Sequence, residues 1–268
     1  MRKLILILML MSTAAYGFHS ALRGLLAPAV VVADETVKLR EYYFPNIGTN
    51  FFTPDTGVYE VDGNINKGTA NEPSWVGPTT NGLDIGCYEF DGTSDYIGIY
   101  TNGFTTNGVT GGTFSCWVNF NSNQDQYLLC AKTTSSPWIG VSFIDDKVGV
   151  AAVYDAEGLT WWTVTSDTIL STGVWYQVGF TADGDEYKLF VNGTNTSATV
   201  YAANPGLWIG KWEQHPSGYH LSTVDLGRRW DSSKWVDGYM AFPALYNEVL
   251  STGDYYNAYS TQKTELGL

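Results

Sequence analysis

The chain has 268 residues with a net charge of −13, 15% aromatic residues, only 15% charged residues and 29 glycines. That is a turn-rich profile with ample apolar material for a core, which excludes a disordered chain and fits one large β domain. The acidic balance excludes a general nucleic-acid binder, because phosphate contacts need a basic surface; it favours solubility and is compatible with bound cations.

The first residues, "MRKLILILMLMSTAAYGF", have the layout of a secretory signal: Arg2 and Lys3, an apolar run from Leu4 to Met11, then the small-residue pattern Ala15-Tyr16-Gly17. The run is too short for a stable transmembrane span. A second apolar patch, "LLAPAVVVADE" at 25–35, makes Ala33 an alternative cleavage point. Residues 1–35 are therefore read as a signal peptide or as an N-terminal docking arm that packs into an assembly. No internal repeat or low-complexity linker divides residues 36–268, which are read as one domain.

From about residue 85, strand signals recur. In "CYEFDGTSDYIGI" (87–99), Asp91-Gly92 reads as a hairpin turn with Phe90 and Ile97 buried beside it. "TFSCWVNF" (113–120) alternates, with Phe114, Cys116, Val118 and Phe120 on one face and Ser115, Trp117 and Asn119 on the other. "WIGVSFIDDKVGVAAVY" (138–154) is two strands joined at Asp145-Asp146. "VWYQVGFTADGDEYKLFVNG" (174–193) is two more around Asp183-Gly184, and Asn192-Gly193 marks the next reversal. Pro243 cannot donate to a ladder, so its strand should lie at an edge or carry a bulge. One short helical turn is expected near 252–259, with Ser251 as N-cap and Asp254 three residues on. Cys87, Cys116 and Cys130 are an odd number without metal-ligand spacing; one bridge plus a free thiol is possible on numbers, and buried strand thiols are expected.

The order of these phrases resembles the laminin-G-like group of concanavalin A-like lectin/glucanase jelly rolls. "LREYYFPN" (39–46) is similar to its opening strand, and "CYEFDGTSDYIGI", "GTFSCWVNF", "GVWYQVGFTADGDEYKLFVNG", "LWIG" (207–210) and "WVDGYMAFPALYNEVLSTGDYYNAY" (235–259) follow in the family's order. The resemblance spans roughly 40–260. It implies an all-β, two-sheet antiparallel jelly-roll sandwich whose rim loops bind carbohydrate, proteins or surfaces. Fold alone does not assign function.

Related glucanases carry Glu-x-Asp-x-x-Glu on one strand, because a retaining glycosidase needs two close carboxyl groups. Here the window reads Glu89-Phe90-Asp91-Gly92-Thr93-Ser94. The last acid is missing, and Asp95 is one residue late, which points it to the opposite face. No hydrolase or lyase activity is expected. Asp91, Asp95 and Asp237 could supply oxygens to calcium, although no spacing matches a dedicated calcium loop; the alternative is that they cap turns. His215 and His220 have Glu213 nearby but no third ligand that would make a zinc site.

"KWEQHPSGYHLSTVDLGRRWDSSKW" (211–235) reads as a long connection. Its Trp212, His215, Tyr219, His220, Arg229 and Trp230 are the candidate ligand contacts: aromatic faces suit sugar rings, and Arg and His can bond hydroxyls or carboxylates. The alternative is packing onto the sandwich or a partner. The functional expectation is a non-enzymatic recognition or adhesion module, secreted or at the cell surface, whose partner is a glycan or cell-surface polymer. The rival is a decoration protein of a phage virion or surface assembly, docked by its N-terminal segment onto capsid, tail or surface-layer proteins.

Overall fold

A computed structural model of the chain describes residues 41–43, 52–53, 63–65, 73–77, 82–100, 111–132, 138–153, 161–201, 206, 208, 223–246 and 248–268. The expectations for residues 1–35 lie outside these. The strands are β1 (Glu41–Tyr43), β2 (Phe52–Thr53), β3 (Gly63–Ile65), β4 (Ser74–Val76), β5 (Cys87–Asp91), β6 (Ile97–Tyr100), β7 (Gly112–Phe120), β8 (Gln126–Lys132) and β9 (Trp138–Ile144). They continue with β10 (Lys147–Val153), β11 (Trp161–Ile169), β12 (Tyr176–Ala182), β13 (Tyr187–Val191), β14 (Thr194–Asn195), β15 (Ala198–Tyr201), β16 (Thr223–Leu226) and β17 (Asp237–Tyr246), before helix α1 (Thr252–Leu266).

Two antiparallel sheets result. The eight-stranded sheet runs β14-β13-β12-β7-β17-β5-β4 with β1 also on β17, and the nine-stranded sheet runs β15-β11-β10-β9-β8-β16-β6-β3-β2. Period-two alternation turns one face of each sheet inward. From β7, Phe114, Cys116, Val118 and Phe120 enter the main core, where they meet Val141 and Phe143 of β9 and Val148 and Val150 of β10. The rings of Phe120 and Phe143 stack across the sheets, with centroids 4.0 Å apart and planes 12° apart. Truncating either ring to Ala would cost roughly 3–5 kcal/mol, because a cavity in such a core collapses only in part.

On the other face of β7, Trp117 is buried against α1. Its Nε1 donates to Gln262 Oε1 at 2.9 Å, and its ring stacks on Tyr259 at 5.5 Å. Gln177 of β12 donates to the same Gln262 oxygen at 3.0 Å. The helix thus covers the outer face of the eight-stranded sheet. Its start is as expected: Ser251 Oγ accepts from Asp254 N–H, and Asp254 reciprocates on the Ser251 backbone. Its length is not, since it runs to Leu266 rather than ending near 259. The buried residues Tyr255, Gln262 and Leu266 keep helical spacing, but a glutamine in the middle of that stripe hides the period. Gly267, in the left-handed region at φ 76°, ends it.

Pro243 lies in a bulge, not at an edge. β17 is flanked by β7 and β5, its register with β7 shifts between Ala241 and Ala244, and Phe242 has φ 47°. The bulge removes the need for the missing N–H.

The Asp91-Gly92 turn joins no hairpin. β5 pairs with β17 and β4, whereas β6 pairs with β16 and β3, so the turn is an arch from one sheet to the other. Phe90 and Ile97 are buried as expected, in the core between the sheets. Asp91 organises the arch: Oδ1 accepts from the backbone N–H groups of Thr93, Ser94 and Asp95, and Oδ2 from the hydroxyls of Thr93 and Ser94. Asp95 Oδ2 accepts from Asp91 N–H at 2.9 Å, and Asp237 Oδ1 from Asn121 Nδ2 at 3.2 Å. Asp237 packs on Gly92, where a Cβ would stand 2.9 Å from Asp237 Cβ. Asp91 thus has the turn-capping contacts that were the alternative to the cation reading; among the described residues no group of three or more His, Cys, Asp or Glu is placed to hold a metal.

Cys87, Cys116 and Cys130 are buried and form no disulfide. Burial pushes Cys130 up to about 12 and Cys116 higher still, so neither is a thiolate at neutral pH. No helix among the described residues is long and apolar enough to cross a membrane.

Two tests follow from these contacts. Ser251→Ala should cost about 1 kcal/mol, lowering Tm by roughly 2–4 °C in thermal melts. Burial would raise the Asp91 carboxyl, but the bonds from Thr93 and Ser94 outweigh it and hold it well below the usual carboxylate range. Its stabilisation is therefore complete above the unfolded value of about 4 and fades as pH falls towards the folded one. Asp91→Asn should melt several degrees below wild type at pH 7, with the gap narrowing below about pH 4; a gap that is constant from pH 7 to pH 2 would contradict the role given to the charge.

Candidate functional site

The nine-stranded sheet has its inner face in the core and, among the described residues, no helix on its outer face. The outer face is shaped by the β9–β10 hairpin. Asp145 and Asp146 have φ 51° and 60°, the backbone of a two-residue type I′ turn. That turn fixes Ser142 opposite Gly149 and Gly140 opposite Ala151. Ile139, Val141, Phe143, Val148 and Val150 point inward, so the central outward positions of the two strands, Gly140, Ser142, Gly149 and Ala151, are small.

Registers with the neighbouring strands extend these pairs into two rows across the sheet. One reads Tyr127–Ser142–Gly149–Thr165–Thr199, and the other Asp225–Cys130–Gly140–Ala151–Thr163–Tyr201. Large residues at the ends and small ones between them leave a groove of about 370 Å³, within the range of small-molecule sites. Its floor is Ser142, Gly149 and Ala151, its far wall is Thr199 and Tyr201 on β15, and Ile144, Asp145 and Lys147 close the hairpin end. Tyr201 is 59% exposed, a large aromatic face open to solvent at the rim.

Tyr127 makes the opposite wall. Its ring lies over Gly140, where a Cβ would stand 2.9 Å from Cδ1 and Cε1. Burial pushes its phenol up to about 12, while the Arg229 charge pulls the other way, so the hydroxyl stays neutral at physiological pH. Thr163, Thr165 and Thr199 add hydroxyls along the groove; Thr199 Oγ1 donates to Asp167 at 2.9 Å. A trough with the exposed Tyr201 ring at its rim, hydroxyls along it and Asp145 and Lys147 at the hairpin end can stack an apolar ring face and exchange hydrogen bonds with a polyhydroxylated ligand.

Of the residues expected from sequence, Arg229 and Trp230 adjoin this groove without lining it. Trp230 packs on the cluster of Tyr127, Cys130, Trp138 and Ala151. The Arg229 guanidinium lies 5.5 Å from the ring centroids of Tyr127 and Trp138 and 5.8 Å from that of Trp230. Trp212, His215, Tyr219 and His220 lie outside the described residues. The stretch 211–235 is also not a single connection. It contains β16, paired with β6 and β8, because Val224 and Leu226 alternate into the core. Between them Asp225 turns outward and is buried, held by Arg228 Nε at 2.9 Å and Lys132 Nζ at 3.6 Å.

The floor residues Ser142, Gly149 and Ala151 carry no large aromatic or charged group by which a sequence marks a site. A signal did exist, in the small residues at alternate positions of "WIGVSFIDDKVGVAAV", which a known turn type converts into a register.

A comparison with curated proteins finds no sequence match. Among solved structures, the chain is similar to the receptor-binding domain of botulinum neurotoxin C/D mosaic serotype, with TM-score 0.59 and 14% identity, covering 83% of this chain and 51% of that one. It is also similar to the binding domain of Paraclostridial Mosquitocidal Protein 1, with TM-score 0.56 and 12% identity over 84% of this chain and 52% of that one. The chain therefore spans about half the length of these toxin domains. Domain 4 of AbnA, an extracellular arabinanase from Geobacillus stearothermophilus solved with arabinotriose, is matched over 97% of its length and 82% of this chain, with TM-score 0.56 and 14% identity. At such identities the likeness is one of fold. In sequence, residues 91–254, more than half of the chain, match the concanavalin A-like lectin/glucanases superfamily, and the chain belongs to that family.

Proposed function

We propose that this chain is a non-catalytic recognition module that binds a glycan on the outer face of its nine-stranded sheet. The observation that carries this reading is the groove between Tyr127 and Tyr201, floored by small residues and lined by hydroxyls. It is a concave, largely neutral surface on rigid strands, which suits a ligand held by stacking and many weak hydrogen bonds.

The similar structures support the reading as analogy. The arabinanase domain was solved with arabinotriose, and the botulinum neurotoxin serotype D ligand-binding domain with N-acetylneuraminic acid. A glycan-binding module of this kind works at a cell surface or in secreted form, and the leader-like residues 1–35 suit that location. No hydrolytic role is proposed for the Glu89-Phe90-Asp91 stretch: Glu89 accepts from the Tyr239 hydroxyl at 3.0 Å, and Asp91 is engaged by its own turn.

The test is a glycan array that includes arabino-oligosaccharides and sialylated glycans, probed with wild type and two variants. Tyr201→Ala removes the exposed far wall, and Thr165→Trp fills the trough from a half-buried, outward position. Saturable wild-type binding that falls at least about tenfold in both variants, with Tm within a few degrees, is the expected result; each lost stacking or packing contact of this kind is worth about 1 kcal/mol or more. Binding that survives both substitutions would place the ligand elsewhere, and no glycan binding across the array would overturn the proposal.

A further inference from the structure

Arg229 was expected from sequence as a ligand contact, yet it stands outside the groove, among three aromatic rings. Tyr127, Trp138 and Trp230 surround its guanidinium at 5.5, 5.5 and 5.8 Å, within cation–π reach. Tyr127 and Trp138 themselves meet edge-on at 6.0 Å and 67°. The backbone behind Arg229 is pinned as well. Its N–H donates to the Lys234 carbonyl at 2.8 Å, its carbonyl accepts from Ser232 N–H at 3.0 Å, and Lys132 Nζ donates to the Trp230 carbonyl at 2.9 Å. NH1 lies 3.5 Å from Asp231, which keeps the charge paired.

The pose of Tyr127 thus has two determinants. Gly140 lets the ring lie flat on the sheet, because any Cβ there would strike it. Arg229 holds the ring from the β16–β17 connection. We propose that Arg229 is a positioning residue that fixes Tyr127 as the end wall of the groove, so that the 227–236 turn sets the width of a site it does not touch. The consequence for binding rests on the glycan reading above; the positioning itself does not. A lysine would keep the charge but lose the planar group that packs among the rings.

Tyr127 above Gly140 supplies a ligand-free readout, the ring-current shift of the Gly140 amide and α-protons. Full-length wild type, Arg229→Ala and Arg229→Lys would be labelled with 15N-glycine and 13C-tyrosine and compared by NMR. In Arg229→Ala the Gly140 signals should lose more than half of their ring-current shift and the Tyr127 ring signals should average. Signals of Gly179, remote in the other sheet, should stay in place and Tm should move by only a few degrees. Arg229→Lys should restore part of the shift, and any array glycan bound by wild type should bind Arg229→Ala about tenfold more weakly. Unchanged Gly140 signals in Arg229→Ala would overturn the proposal whatever the glycans do. A collapsed Gly140 shift together with undiminished glycan binding by Thr165→Trp would sustain the positioning role and remove the groove reading instead.

Discussion

The structure depends on the pleat of the β9–β10 hairpin and the register its turn imposes. Side chains alternate between core and solvent, so a slip of one residue would exchange Val141 and Val150 for Gly140 and Gly149 at the core. The valines and phenylalanine that must be buried therefore determine that glycine, serine and alanine face outward. The groove is the complement of the core on the same two strands, and the positive-φ pair Asp145-Asp146 locks both into place.

The two outer faces of the sandwich then take opposite roles. On the eight-stranded sheet the outward positions include Trp117 and Gln177, which α1 covers through Gln262. The Trp117 ring would otherwise leave a large apolar area in water, and the helix covers it while Gln262 satisfies the buried Gln177 amide. On the nine-stranded sheet the outward positions near the centre are small or hydroxylated, with little apolar area that requires a cover. Aromatic mass is kept to the groove's ends, where Arg229 and the Trp230 turn brace one side.

Much of this was legible in the chain. Alternation in 113–120 assigned both faces of β7 correctly, turn residues located the β9–β10 and β12–β13 hairpins, and the capping box at Ser251 placed the start of α1. What escaped depends on pairing between distant segments. Asp91-Gly92 has the composition of a hairpin turn, and only the partners of β5 and β6 reveal an arch. β16 is four residues long inside a polar, aromatic stretch, and its place in the sheet is set by strands on either side. Arg229 and Trp230, expected as ligand contacts, adjoin the groove and pack around Tyr127 without lining it. Small floor residues carry no chemical signal of their own and acquire meaning only through what flanks them.

Ligand binding on the outer face of the nine-stranded sheet is tested most directly by amide shift mapping of the 15N-labelled chain during titration with an oligosaccharide that it binds. Saturating shifts are expected at Ser142, Gly149, Ala151, Thr163 and Thr165, with Tyr201 at the far rim. Shifts gathered instead around Trp175, Tyr239 and Tyr256, on the helix-bearing side of the sandwich, would contradict binding on the nine-stranded sheet.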